Sequence, residues 1–400
     1  MQLLIKNSVI NKLWFAIIKL VNHKNFIMFL WVLLALVISF KHAFQPISNN
    51  YLIFKYVFLH ANEQLNLYIP YPEYGDTNHY GPFFSIVIAP FAVLPDYFGM
   101  LFWQLANVLF LYYAIKQLPL QKTRITAIYL IITHELLTAM FSLQFNISIT
   151  AIIILAYVFI KKEKNFWAAF VILFGTFVKL YGIVGLAFFF FAKDKFKFIA
   201  YCIFWGIVFL VLPMLFFSPH YILQCYHDWY ISLSEKELLN ASLTSRQDIS
   251  IMGMTRRIIG DASIPNYPFL IIGIILFCIP YLRLKEYSSE VFKLTYLAST
   301  LIFTVIFSNS SESPTYIIAF AGVAIWFMIQ DRPVNPWYIA LLIFAIVLTS
   351  LSPSDLIPKY LKQNYIIPYN LKALPCILIW IVISYQLTFK KFSLTQQQAL

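Results

Sequence analysis

Apolar runs close to bilayer length recur along the chain, divided by short polar breaks. They cover 26–43, 82–95, 97–116, 124–140, 146–160, 166–178, 180–192, 196–217, 267–282, 291–308, 314–330, 336–351 and 371–389. A helix needs about 20 such residues to cross the hydrocarbon. Several runs are shorter. The run 82–95 and the pair 166–178/180–192 read as half-spans or a tight hairpin, which survive only where protein or a water-filled cavity covers their backbone. The pattern predicts an all-α polytopic membrane protein with about 11–13 transmembrane helices. A re-entrant or short-helix hairpin and two larger outward loops, 44–81 and 218–266, complete it. Residues 1–400 form one membrane domain, since neither loop reaches the size of a separate one. The weak alternating segments of a β-barrel are missing.

Positive charge orients these spans. Lys161-Lys162-Glu163-Lys164, Lys193 to Lys197, Arg283-Leu284-Lys285 and Lys390-Lys391 are expected in the cytosol. Lys179 then falls at the outer turn of the hairpin. Lys116, Lys122 and Arg124 also favour the inside, which conflicts with counting 82–95 as a full span after an outward loop. The first 25 residues are basic and amphipathic and lack a cleavage site for a signal peptide, so they read as a cytosolic interfacial helix.

Composition sharpens the picture. Hydrophobic residues make up 61% of the chain and charged ones 12%, against about 25% in a soluble domain. The net charge of +12 sits in short clusters between apolar runs, so membrane lipids and not nucleic acid are the expected partners. Four scattered cysteines show no metal-ligand spacing. No phosphate-binding glycine loop, dinucleotide fingerprint or zinc-protease motif is present. A nucleotide-dependent reaction therefore has no support, and no cofactor is expected. The carboxylates allow a divalent cation, but no metal ligands are assigned.

Chemistry-bearing residues gather in the outward segments. At 50–62, Tyr51, Phe54, Phe58 and Ala61 share a helical face that an interfacial helix would bury. The knot YPEYGDTNHYGP, 71–82, follows, broken by Pro72, Gly75 and Pro82. It presents Asp76 and Glu73 as candidate general bases, with His79 assisting. Tyr71, Tyr74 and Tyr80 could stack on sugar rings. Lys179 is a cation among apolar neighbours, suited to a lipid-linked phosphate. Glu312, between two spans, could orient a sugar hydroxyl. Asn146, beside Gln144 at the outer end of a span, could bind a sugar or cap its helix. Arg246 and Asp248, and His227-Asp228, are polar loop residues that could touch substrate. His134-Glu135 lies within an apolar run.

Three stretches in order, NYLIFKYVFLHANEQLNLY, YGPFFSIVIAPFAVLPDYFGMLFWQLANVLFLYYAI and QFNISITAIIILAYVFIKKEKNFWAAFVILFGTFVKLYGIVGL, resemble glycosyltransferase family 87 of the GT-C superfamily. They cover about 50–192, with weaker echoes in NASLTSRQD and SSESPTYIIAF. The resemblance implies a GT-C-like bundle and polyprenyl-phosphate sugar donors. Lys179 and Tyr181 match the hairpin motif of the family. Asn50 stands where the family has its first-loop aspartate, so either Asp76 or Glu73 takes over as base, or Asn50 only orients substrate, or activity is lost or altered. Leu143 stands where the family has a glycine.

The expected function is inverting transfer of a mannose-type hexose or pentose to an envelope glycan or lipid acceptor. It would take place on the periplasmic face of a bacterial inner membrane. Asp76, Glu73 and His79 would do the proton chemistry. Asn50, Tyr80, Asn146, Lys179, Tyr181, Arg246 and Glu312 would bind substrate. The alternatives are a transporter or flippase of a lipid-linked glycan, or an inactive family member. Transporters commonly carry inverted repeats, and no repeat is evident.

Overall fold

The structure is a computed structural model that describes residues 25–392. The basic segment at 1–25 falls, all but its last residue, outside them. Every regular element among the described residues is helical. In chain order they include α1 (Phe26–Ala43), α2 (Asn49–Asn62), α3 (Phe84–Ala92), α4 (Asp96–Lys116), α5 (Lys122–Phe141), α6 (Asn146–Lys161) and α7 (Asn165–Val178). A 3₁₀ rod, Leu180–Phe191, comes next. Then follow α8 (Lys195–Val211), α9 (Pro219–Asn240), α10 (Ile251–Ile259), α11 (Tyr267–Cys278), α12 (Glu290–Ile306), α13 (Tyr316–Met328), α14 (Pro336–Phe344) and α15 (Leu374–Phe389).

Four helical segments are long and apolar enough to cross a membrane: Asp96–Lys116, Lys122–Phe141, Lys195–Leu215 and Leu371–Phe389. Seven shorter apolar helices run beside them, and α12 completes twelve rods among the described residues. The chain is a polytopic helical membrane protein. Its centre is α6, α12 and α13. Every residue of α13 is buried. Its small residues let neighbours approach, and a Cβ on Gly322 would sit 2.7 Å from the Ala298 carbonyl. Outer helices keep apolar faces exposed, as with Phe29 and Phe40 on α1, Ile203 and Ile207 on α8, and Ile271 and Ile275 on α11. Exposed apolar faces on rods of this length suit contact with lipid tails.

Contacts sort the connections into two ends. At one, Lys162 donates to Gln117 at 2.8 Å, Lys161 pairs with Glu290 at 3.0 Å, Lys193 pairs with Glu163 at 3.1 Å and Lys390 with Asp331 at 2.8 Å. The basic clusters expected on one side thus share an end. At the other, Asn50 donates to the Ser142 carbonyl (2.7 Å), Gly81 N–H to Val178 (3.1 Å) and Asn370 to the Asp248 carbonyl (2.8 Å).

The short run 82–95 does not cross. Helix α3 has nine residues, about 14 Å at 1.5 Å per residue, half the hydrocarbon thickness. It packs on α2, the Tyr51 hydroxyl donating to the Phe91 carbonyl at 3.1 Å, and Lys55 pairs with Asp96 at 2.5 Å. Removing 82–95 from the spans resolves the conflict over 116–124. Helix α4 now starts at the polar end and delivers Lys116 to the basic end. Helix α2 buries Tyr51, Phe54 and Ala61 as expected, but Val57 and His60 take the place expected for Phe58, which is only half-buried.

The hairpin is present, with Lys179 extended at its turn (φ −149°, ψ 125°). Its return limb has twelve residues. As a 3₁₀ helix it reaches about 24 Å, against about 18 Å as an α-helix. Glycine permits the close fold-back. A Cβ on Gly182 would lie 2.3 Å from the Gly175 carbonyl carbon.

Candidate active site

At the polar end a cleft of about 290 Å³ opens between the first loop, the hairpin turn, α9 and the segment 308–315. Its floor is a side-chain relay. Lys179 Nζ donates to Asn146 Oδ1 (2.8 Å), Asn146 Nδ2 to Gln144 Oε1 (2.5 Å), and Gln144 Nε2 to Glu312 Oε2 (2.8 Å). Asn146 is fully buried at the start of α6 and also reaches Thr315 Oγ1 at 3.3 Å. Lys179 lies over the rings of Tyr80 (5.5 Å) and Tyr181 (5.0 Å), which favours a cation there. Tyr181 hydrogen-bonds Ser308 at 2.7 Å. Lys179 forms no salt bridge within 4.0 Å among the described residues, so its charge is available to an anion in the cleft.

The knot 71–82 forms the rim, held in place by α9. Trp229 Nε1 donates to the His79 carbonyl at 2.9 Å, and Ser232 Oγ to the Asn78 carbonyl at 3.3 Å. Gly81 lets the knot touch the hairpin, since a Cβ there would meet the Phe177 carbonyl at 2.2 Å. Asp76 lines the cleft with a half-exposed carboxylate, Oδ2 3.4 Å from Lys236 Nζ and Oδ1 accepting the Thr77 N–H at 2.8 Å. His79 Nδ1 is 2.8 Å from Ser232 Oγ and Nε2 is 3.3 Å from Thr77 Oγ1. Burial, reinforced by Lys236, pushes its imidazole down to about 4. It is therefore neutral and weakly basic near pH 7.

The cleft gathers Asn50, Asp76, His79, Tyr80, Lys179, Tyr181 and Glu312, with Asn146 directly beneath. Asn50 directs its amide N–H into the Ser142 carbonyl, tying α2 to the α5–α6 turn. Glu73 is corrected: it is exposed and does not line the cleft. Its neighbours Tyr71 and Tyr74 face inward onto His60, with ring centroids 3.9 and 6.2 Å away, and Glu73 acts on that cluster from the exposed side and not on the cleft. Tyr71 and Tyr74 also lie outside the cleft and leave only Tyr80 to face it. Arg246 is corrected too, because it lines a separate cavity. Asp248 is buried in a pair with Arg256 at 2.5 Å. Glu135 is buried against Lys372 at 2.9 Å. His227 is exposed. No group of three or more His, Cys, Asp or Glu side chains placed to hold a metal ion occurs among the described residues.

Lys236, Glu237 and Gln247 also line the cleft and escaped the sequence reading. The signal was present. Trp229, Ser232, Leu233 and Lys236 recur at helical spacing, but the polar composition of 218–266 masked the 22-residue helix that carries them.

Residues 78–308 match the model of glycosyltransferase family 87. The chain belongs to that family. No curated protein matches it. The family 87 match spans His79, Tyr80, Asn146, Lys179 and Tyr181, while Asn50, Asp76 and Glu312 lie outside its range. Membership makes this chain a membrane glycosyltransferase, and the cleft presents both carboxylates, Asp76 and Glu312, and a cation, Lys179.

Proposed function

We propose that this family 87 glycosyltransferase moves a mannose-type hexose or pentose from a polyprenyl phosphate to an envelope glycan or lipid acceptor, with inversion. The observation that carries the reading is Lys179, a cation with no salt bridge within 4.0 Å among the described residues, in a cleft that also presents Asp76 and Glu312. A lipid-linked donor needs no nucleotide pocket. Its phosphate would sit at Lys179, and its sugar against Tyr80 and Tyr181. Asp76 would accept the proton of the acceptor hydroxyl as that oxygen attacks the anomeric carbon. The bond from that carbon to the phosphate oxygen would break on the opposite face, and polyprenyl phosphate would leave with its new negative charge held by Lys179. Glu312, fixed by Gln144, would orient sugar hydroxyls, and neutral His79 would position the rim. The arginine and lysine bias favours a cytosolic basic end, and the cleft would then face the periplasm of a bacterial inner membrane.

The test uses the full chain in liposomes with a labelled polyprenyl-phosphate hexose. Label should pass from the lipid to the acceptor. Asp76→Asn should lower turnover about 10²–10⁴-fold, the usual worth of a general base. Lys179→Gln should lower it about 10²–10³-fold, as for other groups that hold developing charge. Full activity of Asp76→Asn alongside loss in Glu312→Gln would move the base to Glu312. Movement of intact donor across the bilayer without a covalent product would replace the reading with that of a flippase. EDTA should leave turnover unchanged, and its abolition would add a divalent ion to the cleft.

A further inference from the structure

A second cavity, of about 460 Å³, lies beyond the strip of chain that bounds the cleft. The strip is shared: Gln247 and Glu312 face the cleft, while Arg246 and Ser313 face the cavity. It is held firmly, with Ile249 N–H donating to the Ser311 carbonyl at 2.8 Å and the Tyr316 hydroxyl to the Ile249 carbonyl at 2.8 Å.

Four cations line this cavity, Arg246, Arg257, Lys362 and Lys372, and no carboxylate lines it. Their neutralisation is incomplete. Among the described residues Arg257 donates to the carbonyls of Ser245, Ile367 and Pro368 and forms no ion pair within 4.0 Å, with the Asp248 carboxylate, itself paired with Arg256, acting on it from farther away. Arg246 is exposed and has neither hydrogen bond nor ion pair among the described residues. Lys362 reaches Asp355 at 3.4 Å, but that carboxylate is fully in solvent, where such pairs contribute little. Lys372 is buried and gives two bonds, to Glu135 (2.9 Å) and Ser313 (3.0 Å), so one of its three N–H donors remains. Four cations and no carboxylate lining one concavity raise its affinity for anions. The flank of the cavity is apolar: Leu356, Tyr360 and Ile367 are exposed on the 352–370 segment, as suits the lipid headgroup region.

We propose that this cavity binds a phosphate ester, the headgroup of a second phosphate-bearing lipid, separate from the ligand at Lys179. The preference for an anion stands without the donor assignment; naming the bound lipid as the acceptor rests on that assignment. An enzyme with two substrates needs two subsites, and the strip 246–249/311–313 would lie between them.

The test counts bound copies of dihexanoyl phosphatidic acid on the full chain in uncharged detergent by native mass spectrometry, with titration for affinity. Wild type should hold two copies. Arg246→Glu/Lys362→Glu should hold one and weaken the second at least tenfold, and adding Lys179→Gln should remove both. The reversed side chains have no buried partner, so the melting temperature should stay at the wild-type value. Binding by the charge-reversed protein equal to wild type overturns the proposal. A single copy lost in Arg246→Glu/Lys362→Glu but kept in Lys179→Gln upholds the cavity and removes the donor reading. The opposite result removes the cavity alone. Inorganic phosphate serves as the competing probe. If it displaces the cavity copy at equal concentration the ligand is a free phosphate ester, and if it fails the ligand is a lipid headgroup.

Discussion

His79 shows how position changes chemistry. In sequence it was an imidazole beside two acids, ready to assist a base. In the fold it is packed under α9 with Lys236 and Lys179 nearby, and Asp76 opposes their effect only in part. Its folded pKa of about 4 lies below the usual 6.5, so the neutral form is the one the fold accepts. That contribution is complete above about pH 6.5 and is lost as pH falls through 4. The melting temperature in detergent should therefore drop across that window more steeply in wild type than in His79→Gln. Equal slopes would show that His79 is solvated. Asn146 is the other decisive residue. It was read as either a sugar ligand or a cap, yet its amide oxygen holds Lys179 and its amide N–H holds Gln144. Asn146→Ala should raise the donor KM about tenfold, the effect of one charge-assisted hydrogen bond at about 1.5 kcal/mol. An unchanged KM would leave Lys179 self-supporting.

The hairpin that carries Lys179 depends on backbone contact. Gly182→Ala places a Cβ on the Gly175 backbone and should lower stability by about 1–3 kcal/mol, read as a fall in melting temperature together with weakened donor binding. Gly206→Ala is the control, since its Cβ meets only the Leu173 Cδ1 at 3.9 Å. Equal melting temperatures for the two variants would refute the tight turn. Leu143, where the family resemblance placed a glycine, adopts φ 52°, a left-handed backbone that glycine takes readily. The side chain is nonetheless buried, and the backbone carbonyl accepts the Trp103 indole N–H at 2.8 Å. Burial thus offsets the strain of that turn.

For the whole molecule the sharpest consequence is the path of 82–95. With α3 lying on α2, Val93→Cys in a cysteine-free background should react with an impermeant thiol reagent from the same side as Ser234→Cys. Lys164→Cys should react from the opposite side. Labelling of Val93→Cys together with Lys164→Cys would restore 82–95 as a span. Most of the bundle was legible because bilayer-length apolar runs and basic clusters are one-dimensional signals. The hairpin with Lys179 at its turn was legible for the same reason, and the helix expected at 50–62 was legible from the apolar face it repeats. Glu73 and Arg246 were not, because each sits within three residues of a side chain that does face the cleft, and only the turn of the local backbone separates them. Lys236 reached the cleft through a helix hidden in a polar segment.

Amino-acid order alone determined that this chain lies in the membrane as a helical bundle, which end is basic, and that polar, chemistry-bearing residues gather at the other end. Hydrophobic length and charge act locally along the chain, so they can be read from it. Folding alone decided that Asn146 and Gln144 connect Lys179 to Glu312, and that one strip divides a mixed-charge cleft from a purely basic cavity. Those groups come from segments more than a hundred residues apart, such as Gln144 and Glu312, and their encounter depends on how α6, α9 and α13 pack.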